Sequence, residues 1–495
     1  MDELIPLSQA MLGEIPSSIT VPNYDRRALR PGIVHIGLGN FHRAHQAWYT
    51  HRLMQMGLAQ DWAIIGAGVR PGDSAMRDRL LAQDCLTTLI ELDPAGKSAE
   101  VTGAMVDFLV VEEDNAALIA RMAQADIRIV SLTVTEGGYY LNPETGDLDL
   151  HHDDIRNDAE RPETPRTAFG AMVAALHLRR AQGRGPFTCL SCDNLQGNGD
   201  ILRRTVTGLA RLSDPGLADW IEAACSFPNS MVDCIVPATG AREIALVRSL
   251  GIADAAPVTH EKYRQWVIED AFCAGRPDWE QVGAVFTADV HTYETMKIRI
   301  LNGGHQMICG AGELLSLDTI AACMAHEGIR AMFRKIASTE IAPHVPAVPA
   351  MSALDYIDLI DARFANPEIR DTTRRVAFDG SSRHAGFLVP SIKDGLARGA
   401  PVEGLALVSA LWARYCLGQR EDGTGVEAND PLWPALQKAA MAAQTDPAAW
   451  LENVPIYHEV KDAPQFSGAF CRWYALLASQ GANHVIRMYS GLPCA

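Results

Sequence analysis

The chain has 495 residues, a formal net charge of −17 at pH 7 and a hydrophobic content of 48%. This length predicts two domains, and the negative charge argues against nucleic acid or an anionic membrane surface as a partner. The sequence has no apolar run of about 18 residues, which argues against a membrane span. The start of the chain has no signal-peptide pattern, and the eleven cysteines form no disulfide framework. We therefore expect a reduced, cytoplasmic setting.

After a proline-punctuated lead-in, short β-branched runs alternate with helical patterns up to about residue 285. The predicted strands are 33–36, 62–69, 86–92, 127–134, 187–191 and 234–236, and the predicted helices include 114–124, 167–181 and 216–225. This alternation is typical of a parallel, doubly wound sheet. Asp93–Gly96 predicts a turn in a small hairpin insertion. From residue 287 onward, helical patterns dominate. We therefore predict an α/β domain over 1–286 and a mainly helical domain over 287–495.

A glycine-containing run follows the first predicted strand and points to a dinucleotide. The run is Gly37-Leu38-Gly39-Asn40-Phe41-His42-Arg43. Glycines at such a turn let the backbone bend tightly and approach a pyrophosphate closely. The third glycine of the usual pattern is replaced by His42, so a strand–turn–helix without a ligand remains an alternative. On the nucleotide hypothesis, Gly37, Gly39, Phe41, His42 and Arg43 belong to the cofactor loop.

Two further segments are candidates for the same cofactor. Asp73 follows the strand 62–69 and can accept hydrogen bonds from an adenosine ribose, which favours NAD over NADP. Arg70 lies close to it and weakens that preference. Thr135 and Glu136 begin a glycine turn after the strand 127–134, where the chain of a dinucleotide fold passes close to the ribose and nicotinamide.

Three polar residues fall within nine positions at a predicted helix start. Lys297 can accept a proton, Asn302 can stabilise an oxyanion, and His305 can hold a substrate hydroxyl. Lys297, Leu301 and His305 are spaced by four, which predicts that they share one helix face. Such a set is typical of polyol or sugar oxidation without a metal when a nicotinamide is near. The alternative for Lys297 is a solvated helix lysine.

Other polar residues are candidates for the same chemistry. Asn194 follows the strand 187–191 and is a second amide donor to the oxyanion, although an Asx turn is an equal alternative. Glu136 and Glu294 are candidates for a proton path to water, and Asp233 can reach the same crevice. Arg375 and Arg383 flank a glycine turn and can bind substrate hydroxyls. Glu136 and Glu294 can equally be surface carboxylates, and surface arginines near a loop are at least as good an interpretation of Arg375 and Arg383.

Three competing patterns are rejected. Tyr293 and Lys297 match the Tyr-x-x-x-Lys of short-chain dehydrogenases, but far past the expected position and without the upstream serine. Cys189 and Cys192 form a lone CxxC, and the paired histidines lack an accompanying acid or cysteine. We therefore predict no metal site.

The motifs together resemble a known family, the polyol-specific long-chain dehydrogenases. The resemblance rests on 37–45, Ser131–Glu136, Ser191–Asn194, Met231–Asp233 and the Lys297, Asn302, His305 set. It implies a Rossmann-type N-terminal domain, a largely helical C-terminal domain and a metal-free site. It implies Lys297 as general base, Asn194 and Asn302 as an oxyanion hole, and Glu294 in proton release. His305, Asp233 and the Arg375–Arg383 segment would contact the polyol, and Asp73 would favour NAD.

Within this family, the chain is most similar to members that oxidise D-mannitol to D-fructose. Departures at 260–263, at Cys234, at Arg383 and at Ala385-Gly386 make another polyol plausible. The alternatives are fructuronate reduction (D-mannonate oxidation) and D-arabinitol oxidation. From a different class, a non-catalytic NAD-binding regulator also remains. The expected partner is a small polyol or ketose, and the expected state is a monomer or weak homo-oligomer.

Overall fold

The computed structural model describes residues 4–142, 145–349 and 351–493. The chain divides into two compact units, Met1–His291 and Thr292–Ala495. Within the described ranges, no helix is long and apolar enough to cross a membrane.

All the strands found in the described residues lie in the first unit. They are Ile5–Pro6 (β1), Pro31–Ile36 (β2), Ala63–Ala67 (β3), Thr87–Asp93 (β4), Gly96–Thr102 (β5), Met105–Phe108 (β6), Ile129–Leu132 (β7), Thr188–Ser191 (β8), Ser230–Asp233 (β9), Ile252–Ala253 (β10), Val258–Glu261 (β11), Gln265–Glu269 (β12) and Val285–Thr287 (β13). The main sheet has five strands in the order β6-β3-β2-β7-β8. Every neighbouring pair in it is parallel. The predicted doubly wound sheet is therefore confirmed.

The strand order reverses between β2 and β7. β3 and β6 extend to one side of β2, and β7 and β8 extend to the other. In such sheets, ligands bind beyond the carboxyl ends of the strands at this switch point. A ligand site is therefore expected beside the segments that follow β2 and β7.

Both faces of the main sheet are buried. Val34 and Ile36 of β2 belong to one apolar core, which also contains the inner face of the helix Ala168–Ala181. Ile33 belongs to a second core on the opposite face, with Trp266 and Trp279. A strand covered on both faces reads as a continuous apolar run, which is why β2 is recognisable in the sequence.

One strand prediction needs correction, and one predicted strand lies outside the main sheet. The predicted strand 234–236 is wrong, because the strand is Ser230–Asp233 and the chain after Asp233 is irregular. Met231 and Val232, at the centre of this strand, are buried. Their apolar character alone did not show where the strand begins and ends. The predicted strand 86–92 exists as β4, but it pairs with β11 and β5 outside the main sheet. The predicted hairpin turn is confirmed, since Asp93 pairs with Gly96.

The three predicted helices of the first unit are confirmed with small shifts. The α-helices of this unit are Asn40–Ala44, Gln46–Gln55, Asp73–Leu81, Ala116–Met122, Asp153–Glu160, Ala168–Ala181, Asn198–Ser213, Pro215–Ala224 and Ala241–Ser249. The helix predicted after the glycine run is broken at His45, whose backbone leaves the helical region.

The described part of the second unit is helical and contains no strand beyond isolated bridges. Its α-helices are Gly303–Leu314, Ile320–Ala325, Glu327–Ile336, Ala353–Phe364, Thr373–Val376, Gly380–Arg383, Val389–Ala397, Glu403–Tyr415, Trp433–Ala443, Ala448–Asn453, Pro464–Gln480 and Ala482–Ser490, while the helix Val290–Met296 contains the unit boundary. Three π-helical segments interrupt this pattern: Lys297–Asn302, Ala337–Ile341 and His384–Leu388.

Candidate active site

The loop after β2 makes a tight turn that only glycine permits at its first position. Gly37 has φ +90, and a Cβ atom there would lie 2.2 Å from the carbonyl oxygen of Thr133. Gly39 differs, because a Cβ atom there would meet nothing within 4 Å. Gly37 is therefore required by the fold. Gly39 leaves open space of the kind that a close backbone–ligand approach needs.

A cluster of buried polar side chains packs against this loop. His35 of β2 pairs through Nδ1 with Ser131 Oγ at 2.8 Å and through Nε2 with Thr133 Oγ1 at 3.0 Å. His42 stacks on His35 with ring centroids 3.4 Å apart, and both rings are buried. Burial lowers the pKa of His35 to about 3, so the stacked pair is neutral near pH 7. His42 therefore packs under the loop at the position of the missing glycine.

Phe41 and Arg43 also pack around the loop. Phe41 stacks on His45, and Arg43 donates through Nε to the Gly39 carbonyl and through Nη2 to Asn40 Oδ1. These contacts brace the loop from within the protein. Direct contact of Phe41, His42 or Arg43 with a cofactor stays a prediction.

The turn after β7 is held by an acid whose role sequence reasoning missed. Asp193 is buried and accepts hydrogen bonds from the backbone N–H groups of Val134 at 3.1 Å and Thr135 at 2.8 Å. Thr135 has φ +67, a strained conformation for a β-branched residue. The Asp193 hydrogen bonds hold this conformation in place. The side chain of Glu136 lies outside the described residues, so its role stays a prediction.

A cavity of about 910 Å³ opens at the switch point of the main sheet. Gly37, Gly39, Asp73 and Thr135 line it, as do Arg70 and Arg166. Its volume is within the range of about 300–1,000 Å³ that is typical of ligand pockets. The open space at Gly39 and the guanidinium groups suit the phosphates of a dinucleotide, so the residues present fit such a cofactor.

Asp73 has a fixed position at the rim of this cavity. Its Oδ2 accepts the backbone N–H of Arg70 at 3.0 Å, and Asp73 is the first residue of its helix. A Cβ atom at Gly68 would lie 2.3 Å from the Cβ atom of Asp73, so that glycine makes room for the acid. The carboxylate can accept from a ribose hydroxyl and repel a 2′-phosphate. Arg70 lines the same cavity, and its positive charge would instead attract a 2′-phosphate.

Two further predicted site residues are Asn194, which follows β8, and Asp233, which belongs to β9. Asn194 is exposed, and Asp233 is buried at the end of β9. Asn198 links their segments, because its Nδ2 donates to the carbonyls of Asp193 at 3.0 Å and Ser230 at 2.8 Å. Asn198 is a residue that the sequence analysis missed. A polar residue at the start of the helix that follows β8 was the available signal.

The run that contains the candidate residues Lys297, Asn302 and His305 begins with a π-helix. Lys297–Asn302 is π-helical, and the N–H of Gly303 bonds to the carbonyl of Ile298, five residues back. In a π-helix the backbone hydrogen bonds join residues five apart, which is the separation of Lys297 and Asn302. The predicted regular α-helix begins only at Gly303, and the shared face of Lys297, Leu301 and His305 stays a prediction. Lys297 is buried, as is Glu294 in the preceding helix.

His305 lies in an aromatic and acidic setting. Its ring stacks on Phe364 with centroids 4.2 Å apart, and Nε2 lies 4.0 Å from Asp371 Oδ2. Burial lowers the pKa of His305 to about 4, against the opposing effect of the Asp371 charge. The ring is therefore neutral near pH 7, and one nitrogen can donate while the other accepts.

Arg375 and Arg383 both lie close enough to His305 for their positive charges to lower its pKa. Asp371 accepts two hydrogen bonds from Arg375, which raise the pKa of that guanidinium. Arg383 donates through Nη1 to the Val376 carbonyl at 2.7 Å. The sequence analysis missed Asp371, although an acid four residues before an arginine is a recognisable helix-pair signal.

The cysteines and histidines form no evident metal site. In residues 4–142, 145–349 and 351–493, no group of three or more His, Cys, Asp or Glu side chains is arranged to hold a metal ion. Cys189 and Cys192 are both free and buried.

Comparison with known proteins assigns the family. Residues 31–281 match the family model for the mannitol dehydrogenase Rossmann domain, and residues 289–477 match that for the mannitol dehydrogenase C-terminal domain. The chain belongs to the mannitol dehydrogenase family. A mannitol 2-dehydrogenase from Cereibacter sphaeroides is 54% identical over 472 residues, which cover 95% of this chain and 99% of the relative.

Two solved structures of similar proteins extend the comparison. Pseudomonas fluorescens mannitol 2-dehydrogenase, in a ternary complex with NAD and D-mannitol, is 39% identical with a TM-score of 0.87 and covers 99% of this chain and 100% of its own. A substrate-free D-sorbitol dehydrogenase is 32% identical with a TM-score of 0.90 and covers 97% of this chain and 100% of its own. The resemblance inferred from the motifs and the predicted fold class are therefore confirmed.

Proposed function

We propose that this member of the mannitol dehydrogenase family oxidises D-mannitol to D-fructose with NAD. The single observation that carries the substrate is the 54% identity to a mannitol 2-dehydrogenase over almost the whole chain. The similar ternary complex with NAD and D-mannitol supports the cofactor. The cavity beside Gly39 and Asp73 supports NAD further, since its residues fit a dinucleotide.

NAD, held by the residues that line the cavity, would supply the hydride acceptor for the carbon that carries the reacting hydroxyl. Lys297 removes the proton from that hydroxyl, a role that suits a buried amine because burial disfavours a charged ammonium. Asn302 and Asn194 donate amide N–H groups to the oxygen as negative charge develops on it. Glu294 passes the proton from Lys297 towards water.

The remaining residues hold the rest of the polyol. His305, Asp233, Arg375 and Arg383 are assigned to its other hydroxyls. Gly37, Gly39, Asp73 and Thr135 are assigned to the cofactor, and no metal takes part. A cytoplasmic location and a monomer or weak homo-oligomer stay predictions.

The test is NAD reduction by the purified protein with D-mannitol, D-arabinitol, D-sorbitol and D-mannonate, repeated with NADP. We expect D-mannitol with NAD to give the highest kcat/KM. A preference for D-mannonate or D-arabinitol would reassign the substrate within the family. NAD binding without turnover of any substrate would favour a non-catalytic regulator.

A further inference from the structure

Arg375, which is expected to bind the part of the substrate near His305, already pairs with a buried carboxylate. Asp371 Oδ1 accepts Arg375 Nε at 2.6 Å, and Oδ2 accepts Nη2 at 2.5 Å. The Asp371 side chain is 7% exposed, whereas that of Arg375 is 63% exposed. An accessible guanidinium therefore lies over a buried carboxylate. Such a bidentate pair leaves little net charge for an anionic ligand.

The neighbouring cations are also engaged. Arg383 donates to the backbone carbonyl of Val376, to which the Gln306 amide also donates at 3.0 Å. Arg363 is buried and takes part in interactions of its own. Because Asp371 offsets the charge of Arg375, a count of arginines in the sequence overstates the attraction of this segment for a carboxylate.

The chemistry of the His305 and Asp371 side chains favours a hydroxyl as their ligand. Their nearest atoms, Nε2 and Oδ2, are 4.0 Å apart, which is too long for a direct hydrogen bond. His305 Nε2 is buried and has no hydrogen-bond partner among the described residues. An oxygen atom can lie at about 2.8 Å from both atoms, since hydrogen bonds of that length span the gap. A hydroxyl can donate to the carboxylate while it accepts from the imidazole, whereas an ionised carboxylate has no proton to donate.

The backbone fixes Asp371 in this position. Its carbonyl accepts the N–H of Ile320 at 2.9 Å, and its own N–H donates to Ile369 at 3.0 Å. Two residues on, the N–H of Thr373 donates to Asp318 at 3.1 Å. These bonds fix the backbone at Asp371, and the two hydrogen bonds from Arg375 hold its carboxylate.

We propose that Asp371 is a specificity-determining residue that selects a hydroxyl over a carboxylate at the His305 end of the substrate. It does so by neutralising Arg375 and by requiring a proton donor beside His305. The substrate class it admits is an uncharged polyol, and the class it excludes is the corresponding aldonate. This inference rests on the proposed polyol dehydrogenase function.

The experiment is a comparison of D-mannitol and D-mannonate as substrates of the wild type and of Asp371→Asn. Asparagine keeps the shape, removes the charge and supplies a donor for a carboxylate. We expect the ratio of kcat/KM for D-mannitol to that for D-mannonate to fall at least about tenfold, because like-charge juxtaposition is costly. An unchanged ratio in a folded variant overturns the inference.

Asp361→Asn is the matched control. Asp361 is also 7% exposed and also bonds one arginine twice, through Arg330 Nε at 3.0 Å and Nη2 at 2.5 Å. We expect this variant to share any loss of stability but to keep the wild-type substrate ratio. A ratio that shifts equally in both variants contradicts a specific role for Asp371.

A measurement on the wild type decides the matter if Asp371→Asn does not fold. D-Mannonate should compete poorly against D-mannitol, with an inhibition constant at least about tenfold above the KM for D-mannitol. Equal competition overturns the inference even though D-mannitol turnover upholds the proposed function. Failure of the wild type to oxidise D-mannitol is a separate result that counts against the proposed function itself.

Discussion

At the scale of single residues, Lys297 carries the proposed chemistry. Lys297→Ala should lower kcat by about 10²–10⁴-fold, because that is the usual contribution of a positioned general base. Binding of NAD, measured by fluorescence titration, should be unchanged. Lys393→Ala is the control, since Lys393 is half exposed and paired with Glu459 in the same unit. Turnover by Lys297→Ala at the wild-type rate would remove the centre of the proposed mechanism.

At the scale of elements, the loop between β2 and its helix separates two kinds of glycine. Gly37→Ala should destabilise the protein, because φ is +90 and the new Cβ would clash with the Thr133 carbonyl. Gly39→Ala should keep the wild-type melting temperature but weaken NAD binding at least about tenfold, since the new methyl group enters open space beside the cavity. Calorimetry and NAD titration of both variants check this. Equal NAD affinity in Gly39→Ala and wild type would show that the cofactor does not approach this backbone.

The helix Glu403–Tyr415 depends on a carboxylate from another segment. Glu340 is buried and accepts the backbone N–H groups of Gly404 at 2.7 Å and Leu405 at 3.0 Å. These groups have no partner within the helix, so Glu340 caps it from outside. Glu340→Gln should lower the free energy of unfolding by about 1–3 kcal/mol, because one buried N–H loses its acceptor.

Urea unfolding followed by circular dichroism measures this difference. Glu403→Gln is the control, because Glu403 is only partly buried at the same helix end and pairs with Arg472. Surface ion pairs contribute about 0–1 kcal/mol, so its effect should be much smaller. Similar losses in both variants would mean that Glu340 does not act as a cap.

At the scale of the whole molecule, buried neutral histidines predict instability in acid. Burial lowers the pKa to about 3 in four of them and to about 4 in the fifth: His35, His51, His260, His384 and His305. The unfolded chain binds protons below about pH 6.5, whereas the folded chain does not. The stability that these groups contribute is therefore complete above about pH 6.5 and is lost as the pH falls towards 3.

Urea unfolding at pH 7.5, 6.5 and 5.5 checks this prediction. Each such histidine lowers the free energy of unfolding by up to about 1.4 kcal/mol per pH unit within the window. His384→Phe keeps a ring against Trp412, on which His384 stacks at 4.2 Å, but removes one titrating group. The variant should show a shallower acid dependence than the wild type. Identical slopes would mean that His384 does not contribute.

The sequence predicted those parts of the site that depend on short-range pattern. The turn at Gly37 and the helices near residues 116, 168 and 215 were recognisable because apolar spacing and turn residues report local structure. The apolar content of Met231-Val232 did not locate the edge of β9, because burial alone does not mark where a strand ends. The π-helix at Lys297–Asn302 was also missed, since no residue pattern distinguishes it from an α-helix.

Chain pattern alone thus determined the family, the fold class and most of the candidate residues, because glycine turns and polar motifs are read within a few positions. The tertiary structure alone decided which distant groups meet. Asp193 reaches Thr135 across 58 residues, and Asp371 reaches His305 across 66 residues. Such pairs arise from the packing of whole elements, which no local spacing encodes. The charge that Arg375 offers to a substrate is therefore a property of the fold rather than of the residue.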